Sequence, residues 1–163
     1  MINKKICMIG AFSVGKSALV TRFVHSIFSD RYLSTLGVKI SKKVINLDGA
    51  DITLVLWDME GKDDFTDVNM SYLRGAMGFF AVADGTRKET LNMALHLRKL
   101  ALEVAGPVPN FLVVNKADLK WEITDEQLAG VEADGIPVVR TSAKTGHAVE
   151  DAFTALARAM MKG

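Results

Sequence analysis

The chain has 163 residues, of which 49% are hydrophobic and 24% charged, and its net charge is +1. This length and composition suit one globular domain, residues 1–163, with a substantial core, and the near-neutral charge excludes a broad attraction to nucleic acid. The single cysteine, Cys7, excludes an internal disulfide and favours a cytoplasmic location, where we expect the thiol to be a small core residue.

The N-terminal segment combines a predicted strand, Lys4–Ile9, with the motif G-x-x-x-x-G-K-[ST] at Gly10–Ser17 and a predicted helix, Lys16–His25. Glycines let the backbone N–H groups of such a loop turn inward, and the helix N-terminus favours an anion. Lys16 would contact the β- and γ-phosphates, and the Ser17 hydroxyl would ligate Mg²⁺. The segment therefore predicts binding of a nucleoside triphosphate; a glycine-rich turn without a ligand is the alternative.

The next two extended runs, Val38–Leu47 and Asp51–Asp58, are joined by Asp-Gly at 48–49, a pair typical of a tight β-hairpin. We therefore expect these strands to be antiparallel. The apolar pattern of the first run changes phase between Ile40 and Ile45, which predicts either a bulge or an exposed edge strand.

Strand and helix patterns alternate in the remainder of the chain, as is typical of a mostly parallel sheet covered on both faces. The predicted strands are Met77–Ala83, Asn110–Val114 and Pro137–Arg140, and the predicted helices are Leu91–Val104, Thr124–Val131 and Ala148–Met160. Thr124 and Gln127 have the spacing of a capping box.

The last predicted helix has apolar residues at helical spacing, which we interpret as core packing. These residues are Val149, Ala152, Phe153, Leu156 and Met160. Met77 and Met93 are interpreted as core residues as well. The C-terminal residues show neither a prenylation box nor a polybasic tail, so no direct membrane anchor is visible; we expect either a soluble protein or a further C-terminal tail.

Base specificity is predicted by the sequence Asn115-Lys116-Ala117-Asp118, which directly follows an apolar strand. That position lies at the carboxyl end of the sheet, where open α/β folds bind ligands. The Asp118 carboxylate would accept hydrogen bonds from N1–H and the exocyclic amine of guanine. Adenine offers neither donor, and a site built this way discriminates by roughly 10⁴-fold or more. Ser142-Ala143-Lys144, after the last strand, would approach the base from the other side.

Five motifs, taken in this order, resemble those of the Ras-like small GTPases, and the segment around Thr35 is closer to the Rab branch. They are G-x-x-x-x-G-K-S at Gly10–Ser17, Thr35, D-x-x-G at Asp58–Gly61, N-K-x-D at Asn115–Asp118 and S-A-K at Ser142–Lys144. The resemblance covers nearly the whole chain. It implies a three-layer α/β P-loop G domain whose six-stranded, mostly parallel sheet has one antiparallel strand and is accompanied by about five helices.

The resemblance also implies the ligands, GTP or GDP with Mg²⁺, and the residues that would bind them. The implied nucleotide contacts are Gly10, Ser13, Val14, Gly15, Lys16, Ser17, Ala18, Phe28, Thr35, Asp58, Gly61, Asn115, Lys116, Asp118, Ser142, Ala143 and Lys144. The implied metal contacts are Ser17, Thr35 and Asp58, the last through water. Phe28 would pack edge-on against the guanine, and Gly61 would donate its backbone N–H to the γ-phosphate. The implied catalytic residues are Lys16, Thr35, Gly61 and Lys62.

A switch of this kind presents surfaces that change with the bound nucleotide. The resemblance places them at Tyr32–Ile40 and Asp58–Arg74, where effector and regulatory proteins would bind a monomeric chain. The neighbouring edge strand would suit strand addition by an effector.

Three residues depart from the family pattern. Lys62 stands where the family usually has the glutamine that orients the attacking water, and an ammonium cannot accept a hydrogen bond from water. Phe12 replaces a small residue above the γ-phosphate, and Glu60 brings a carboxylate near it. We therefore expect slow GTP hydrolysis without an activating partner.

Two alternatives to a switch remain open from the sequence. A pseudo-GTPase would bind nucleotide without significant hydrolysis, and the three departures are compatible with it. A P-loop kinase or ATPase would need an acceptor site and an arginine-rich lid, for which no segment is evident, and adenine specificity would conflict with Asp118.

Overall fold

The computed structural model describes residues 2–11, 13–25, 37–60 and 70–162. Its strands are β1 (Ile2–Gly10), β2 (Gly37–Leu47), β3 (Ala50–Glu60), β4 (Gly78–Asp84), β5 (Asn110–Asn115) and β6 (Val138–Arg140). The α-helices in these ranges are α1 (Lys16–His25), α2 (Glu89–Ala105), α3 (Asp125–Ala133) and α4 (Val149–Met161), and Ser71–Leu73 forms a short 3₁₀ helix.

The six strands form one sheet in the order β2-β3-β1-β4-β5-β6. All neighbouring strands are parallel except β2 and β3, which are joined by the predicted hairpin and are antiparallel. The expected α/β class and sheet are therefore confirmed. Four α-helices and one 3₁₀ helix in the described residues compare with the expected number of about five.

Strand β2 lies at the edge of the sheet and has no bulge. Its register with β3 is unbroken from Gly37 opposite Glu60 to Leu47 opposite Ala50. The phase change in its apolar pattern arises because an edge strand is only partly covered: Ile40 and Val44 are exposed, as are Lys39 and Lys42. Of the two sequence interpretations, the exposed edge is confirmed and the bulge is wrong.

The helices cover both faces of the sheet and divide the core into two parts. Helices α1 and α4 pack on one face, where Phe23 stacks on Phe153 with ring centroids 4.1 Å apart and Phe80 meets Phe153 edge-on at 4.9 Å. Helices α2 and α3 pack on the other face, around Leu97 and Leu128. The five apolar residues predicted for α4 are all buried, as expected.

Local sequence patterns account for several element boundaries. Thr124 caps α3 with the predicted capping box, in which the Thr124 and Gln127 side chains each bond the other's backbone N–H. The interpretation of Met77 as a core residue is wrong, because it precedes β4 and is 41% exposed; Met93 is partly buried against the α2 core. No helix in the described ranges is long and apolar enough to span a lipid bilayer.

The topology places the loops of interest side by side. Strands β1, β4 and β5 are parallel neighbours, with Gly10 opposite Val82 and Asp84 opposite Asn115. Their carboxyl ends therefore lie at the same edge of the sheet. The loop after β1 and the loop after β5 meet there.

Candidate nucleotide-binding site

The loop between β1 and α1, which we call the phosphate loop (Gly10–Ser17), has a backbone that two glycines make possible. Gly15 has a φ of 104°, a conformation that L side chains rarely adopt, and a Cβ there would collide with the side-chain amide nitrogen of Asn115. A Cβ at Gly10 would collide with the carbonyl oxygen of Val82. The close approach of β4 and of the loop after β5 therefore requires glycine at both positions.

Lys16 begins α1 and points into the phosphate loop. Its Nζ donates hydrogen bonds to the carbonyls of Gly10 and Ala11 at 3.0 and 2.9 Å, and only 5% of the residue is exposed. A buried ammonium must be compensated by such acceptors. The charge of Lys16 is thus held at the centre of the loop, at the N-terminal end of α1, where the positive end of the helix dipole also lies.

Ser17 and Asp58 come together between α1 and β3. The Ser17 hydroxyl donates a hydrogen bond to Asp58 Oδ2, and Asp58 is 1% exposed. A hydroxyl and a carboxylate are the hard oxygen donors that suit Mg²⁺, which usually takes one or two protein oxygens together with substrate phosphates. The described residues hold no cluster of three or more His, Cys, Asp or Glu side chains arranged for a metal. The Ser17 and Asp58 oxygens therefore suit a Mg²⁺ ion shared with a phosphate.

Asn115 connects the two loops of the site. Its Nδ2 donates to the carbonyl of Val14 in the phosphate loop at 3.2 Å. Its Oδ1 accepts from the Thr141 hydroxyl at 3.2 Å and from the Ala143 N–H at 3.1 Å. Asn115 is 2% exposed, so this amide fixes the phosphate loop relative to the loop after β6, which we call the base loop (Thr141–Thr145).

Lys116 has a φ of 72° and extends between two anchors. Its Nζ lies 2.8 Å from Asp84 Oδ2 and 3.3 Å from the carbonyl of Ser13. Burial alone would raise the pKa of Asp84, but the hydrogen bonds from Lys116, Thr86 and Arg87 outweigh burial, so the pKa lies below its ordinary value. Asp84 is therefore an ionised carboxylate, and in this form it binds the Lys116 ammonium.

Asp118 is held by the base loop. The Ser142 hydroxyl donates to Asp118 Oδ1 at 2.7 Å and accepts from the Thr145 N–H at 3.1 Å. Ser142 is 1% exposed. The base loop therefore fixes the orientation of the Asp118 carboxylate through one serine hydroxyl.

Several residues that support this site were missed in the sequence. Asp84 holds Lys116, Thr141 bonds Asn115, and the Trp121 Nε1–H donates to the carbonyl of Lys116 at 2.7 Å. Arg22 on α1 reaches the base loop. Asp84 had a usable signal, since it is a carboxylate at the carboxyl end of a buried parallel strand; the others had none beyond their proximity to a motif.

The structure describes some of the other predicted site residues and leaves the rest outside its described ranges. Val14 and Ala18 are buried beside Lys16, and Lys144 is exposed at the end of the base loop. The predictions for Phe12, Phe28, Thr35, Gly61, Lys62 and the side chain of Glu60 lie outside what the structure describes.

Comparison with known proteins supplies independent information about the whole chain. A sequence model of the Ras family matches residues 5–162. The Ras-related protein Rab-1D from Dictyostelium discoideum is 38% identical over an alignment of 158 residues, and the alignment covers 94% of this chain and 78% of that relative. The family match extends across the phosphate loop and the base loop.

Proposed function

Because the chain belongs to the Ras family of small GTPases, we propose that it is a guanine-nucleotide-dependent switch that hydrolyses GTP slowly on its own. The observation that carries this proposal is the position of Asn115, which bonds Val14 at one end and Ala143 at the other. A phosphate-binding loop and a base-binding loop fixed to one side chain suit the two ends of a single nucleotide.

Guanine recognition is assigned to Asp118, aided by the base loop. Ser142 holds one carboxylate oxygen, which orients the group toward a base that presents two N–H donors. Adenine carries an amino group at position 6, so it would point a hydrogen-bond donor at the backbone N–H groups of the base loop. It would also leave Asp118 without the two hydrogen bonds that guanine donates. The resulting desolvation cost supports selection of GTP over ATP by several orders of magnitude.

The triphosphate is assigned to the phosphate loop. Lys16 and backbone N–H groups of the loop would bind the β- and γ-phosphates and stabilise the charge that spreads over the oxygens during hydrolysis. Ser17 and Asp58 would hold Mg²⁺ together with Thr35, and the bound ion would neutralise phosphate charge. Gly61 would donate its N–H to the γ-phosphate.

The proposed low rate follows from Lys62, aided by Phe12 and Glu60. The ammonium of Lys62 would offset charge on the phosphate but cannot accept a hydrogen bond from the attacking water. An activating partner that inserts an arginine would raise the rate by about 10³–10⁵-fold. The pseudo-GTPase alternative rests on the same three residues, and it differs in predicting no turnover at all.

Partners are assigned to the segments Tyr32–Ile40 and Asp58–Arg74 of a cytoplasmic monomer that acts as one G domain. Two described side chains support this surface: Ile40 is 49% exposed on the edge strand, and Tyr72 is 38% exposed. Tyr72 packs against Trp57 with ring centroids 5.9 Å apart. An apolar group of this kind beside the nucleotide-sensing segments suits an effector that reads the bound state.

The test is equilibrium binding of GTP, GDP and ATP, each with and without Mg²⁺, followed by single-turnover hydrolysis. We expect Mg²⁺-dependent binding of both guanine nucleotides, at least about 10⁴-fold weaker binding of ATP, and slow but measurable formation of GDP. Equal binding of ATP would contradict the switch and favour a kinase or ATPase. GTP that stays intact indefinitely would identify a pseudo-GTPase, and fast turnover without a partner would contradict the proposed low rate.

A further inference from the structure

Arg22 joins the helix that begins at the phosphate loop to the loop that would contact the base. Its Nε donates to the Ala143 carbonyl at 2.8 Å, and its Nη2 donates to the Lys144 carbonyl. We propose that Arg22 is a positioning residue for guanine recognition, which acts by fixing the peptide units of the base loop. This inference rests on the function proposed above and adds a residue that the motifs do not include.

Peptide geometry explains how bonds to carbonyls would orient groups on the other side of the loop. In a trans peptide unit the C=O and N–H point in opposite directions, so a fixed carbonyl fixes the direction of the next N–H. The bond to the Ala143 carbonyl therefore sets the direction of the Lys144 N–H. The bond to the Lys144 carbonyl sets the direction of the Thr145 N–H, which donates to the Ser142 hydroxyl.

The effect of Arg22 reaches Asp118 through these bonds. Thr145 N–H bonds the Ser142 hydroxyl at 3.1 Å, and that hydroxyl bonds Asp118 Oδ1 at 2.7 Å. The Ala143 carbonyl that accepts from Arg22 also belongs to the same residue as the Ala143 N–H, which donates to Asn115 Oδ1. The positions of Asp118 and Asn115 thus both depend on the base loop, whose backbone carbonyls Arg22 bonds.

An arginine suits this role for two reasons. Its guanidinium is planar and always charged, so it donates to two neighbouring carbonyls from one rigid group with charge-assisted bonds. Its helix is also firmly placed, because the adjacent Phe23 stacks on Phe153 of α4. The side chain also borders a cavity of about 180 Å³ that is lined by Gly146, Val149 and Glu150.

The experiment compares GDP with inosine diphosphate, which keeps the N1–H of the base but lacks the exocyclic amine. Affinities for both are measured in Mg²⁺ for the wild type, Arg22→Ala, Arg22→Lys and the control Arg158→Ala. Arg158 is a matched control because it also bonds an acceptor, Asp48, at 2.9 Å, but in an exposed pair. Thermal unfolding of each variant checks that it is folded.

We expect Arg22→Ala to weaken GDP binding by roughly tenfold or more and to reduce the preference for GDP over inosine diphosphate by about threefold or more. Arg22→Lys has a single donor group, so we expect values between those of the wild type and the alanine variant. Arg158→Ala should bind as the wild type does. A merely structural Arg22 would lower the unfolding temperature and leave the preference for GDP unchanged.

The outcomes separate this inference from the function on which it rests. If the wild type does not bind GDP, the proposed function fails. If the wild type binds GDP and both Arg22 variants keep its preference for GDP, the positioning role of Arg22 is wrong and the function stands. Should Arg22→Ala fail to fold, Arg22→Lys alone decides, since an unchanged preference in that variant also contradicts the inference.

Discussion

Lys116 Nζ lies 2.8 Å from Asp84 Oδ2, and the Asp84 side chain is only 1% exposed. The same ammonium lies 3.3 Å from the Ser13 carbonyl, so a buried carboxylate at the end of β4 fixes a lysine that touches the phosphate loop. Replacing Asp84 with asparagine keeps an acceptor for the Thr86 N–H but turns an N–H₂ group toward Lys116 and Arg87. We expect GDP to dissociate about tenfold faster from Asp84→Asn, as measured by displacement of a fluorescent GDP analogue.

The control for this experiment is Asp125→Asn. Asp125 also accepts from an arginine, Arg140, but its side chain is 85% exposed and the pair is at the surface. Exposed ion pairs of this kind contribute little to the stability of the fold. A dissociation rate that rises equally in both variants would contradict a specific role for Asp84.

The lowered pKa of Asp84 predicts a pH dependence of stability. The folded state favours the carboxylate, so the unfolded chain binds more protons in the acid range and the free energy of unfolding rises with pH there. The contribution of Asp84 is fully present above its unfolded pKa of about 3.9 and is lost as pH falls through the lower folded pKa. Urea unfolding between about pH 2 and pH 5 should give a shallower slope for Asp84→Asn than for the wild type. Parallel slopes would show that the carboxylate is not held as the structure indicates.

Gly15→Ala tests the contact between the phosphate loop and Asn115. A Cβ at Gly15 would collide with the Asn115 amide, so either the loop or Asn115 must move. We expect GDP affinity to fall by roughly hundredfold or more. The matched control is Gly49→Ala in the β2–β3 hairpin, where φ is 90° and nothing lies within 4 Å of the added Cβ. That variant should lose about 1–2 kcal/mol of stability and keep its GDP affinity.

Lys62→Gln tests the proposed cause of slow turnover. A glutamine can both accept a hydrogen bond from water and donate one, so we expect the single-turnover rate of GTP hydrolysis to rise by about tenfold or more. Lys99→Gln, at an exposed position on α2, removes the same charge far from the site and should leave the rate unchanged. An unchanged rate in Lys62→Gln would direct attention to Phe12, whose replacement by glycine is the next variant to assay.

The sequence predicted the parts of this structure that depend on local patterns. The strand and helix ranges, the hairpin at 48–49 and the Thr124 capping box follow from residue types at short spacing. Met77 was misassigned because an apolar residue next to a buried strand has the same local pattern whether it lies inside or outside that strand. Whether β2 had a bulge or an exposed edge could not be decided, because both disturb the alternation of apolar residues.

The loops that form the candidate site could be named from the sequence, but the bonds that join them could not. Arg22 bonds residues 121 and 122 positions away, and its acceptors are backbone carbonyls, which every residue type has. No pattern marks such a pair in advance. Asp84 is different, since a charged residue that ends an otherwise apolar strand is costly to bury without a partner and so points to one.

Because Cys7 is buried, its reaction with a thiol reagent would report unfolding of the central sheet. The thiol lies in β1, between β3 and β4, at 0% exposure, and burial raises its pKa to about 12 despite the nearby Lys5. The thiolate is the form that attacks an alkylating reagent, so this sole cysteine would react only in molecules whose central strand has separated from its neighbours. A ligand that binds only the folded state lowers the population of unfolded molecules and so lowers the rate of alkylation. The dependence of that rate on nucleotide concentration would therefore measure nucleotide affinity.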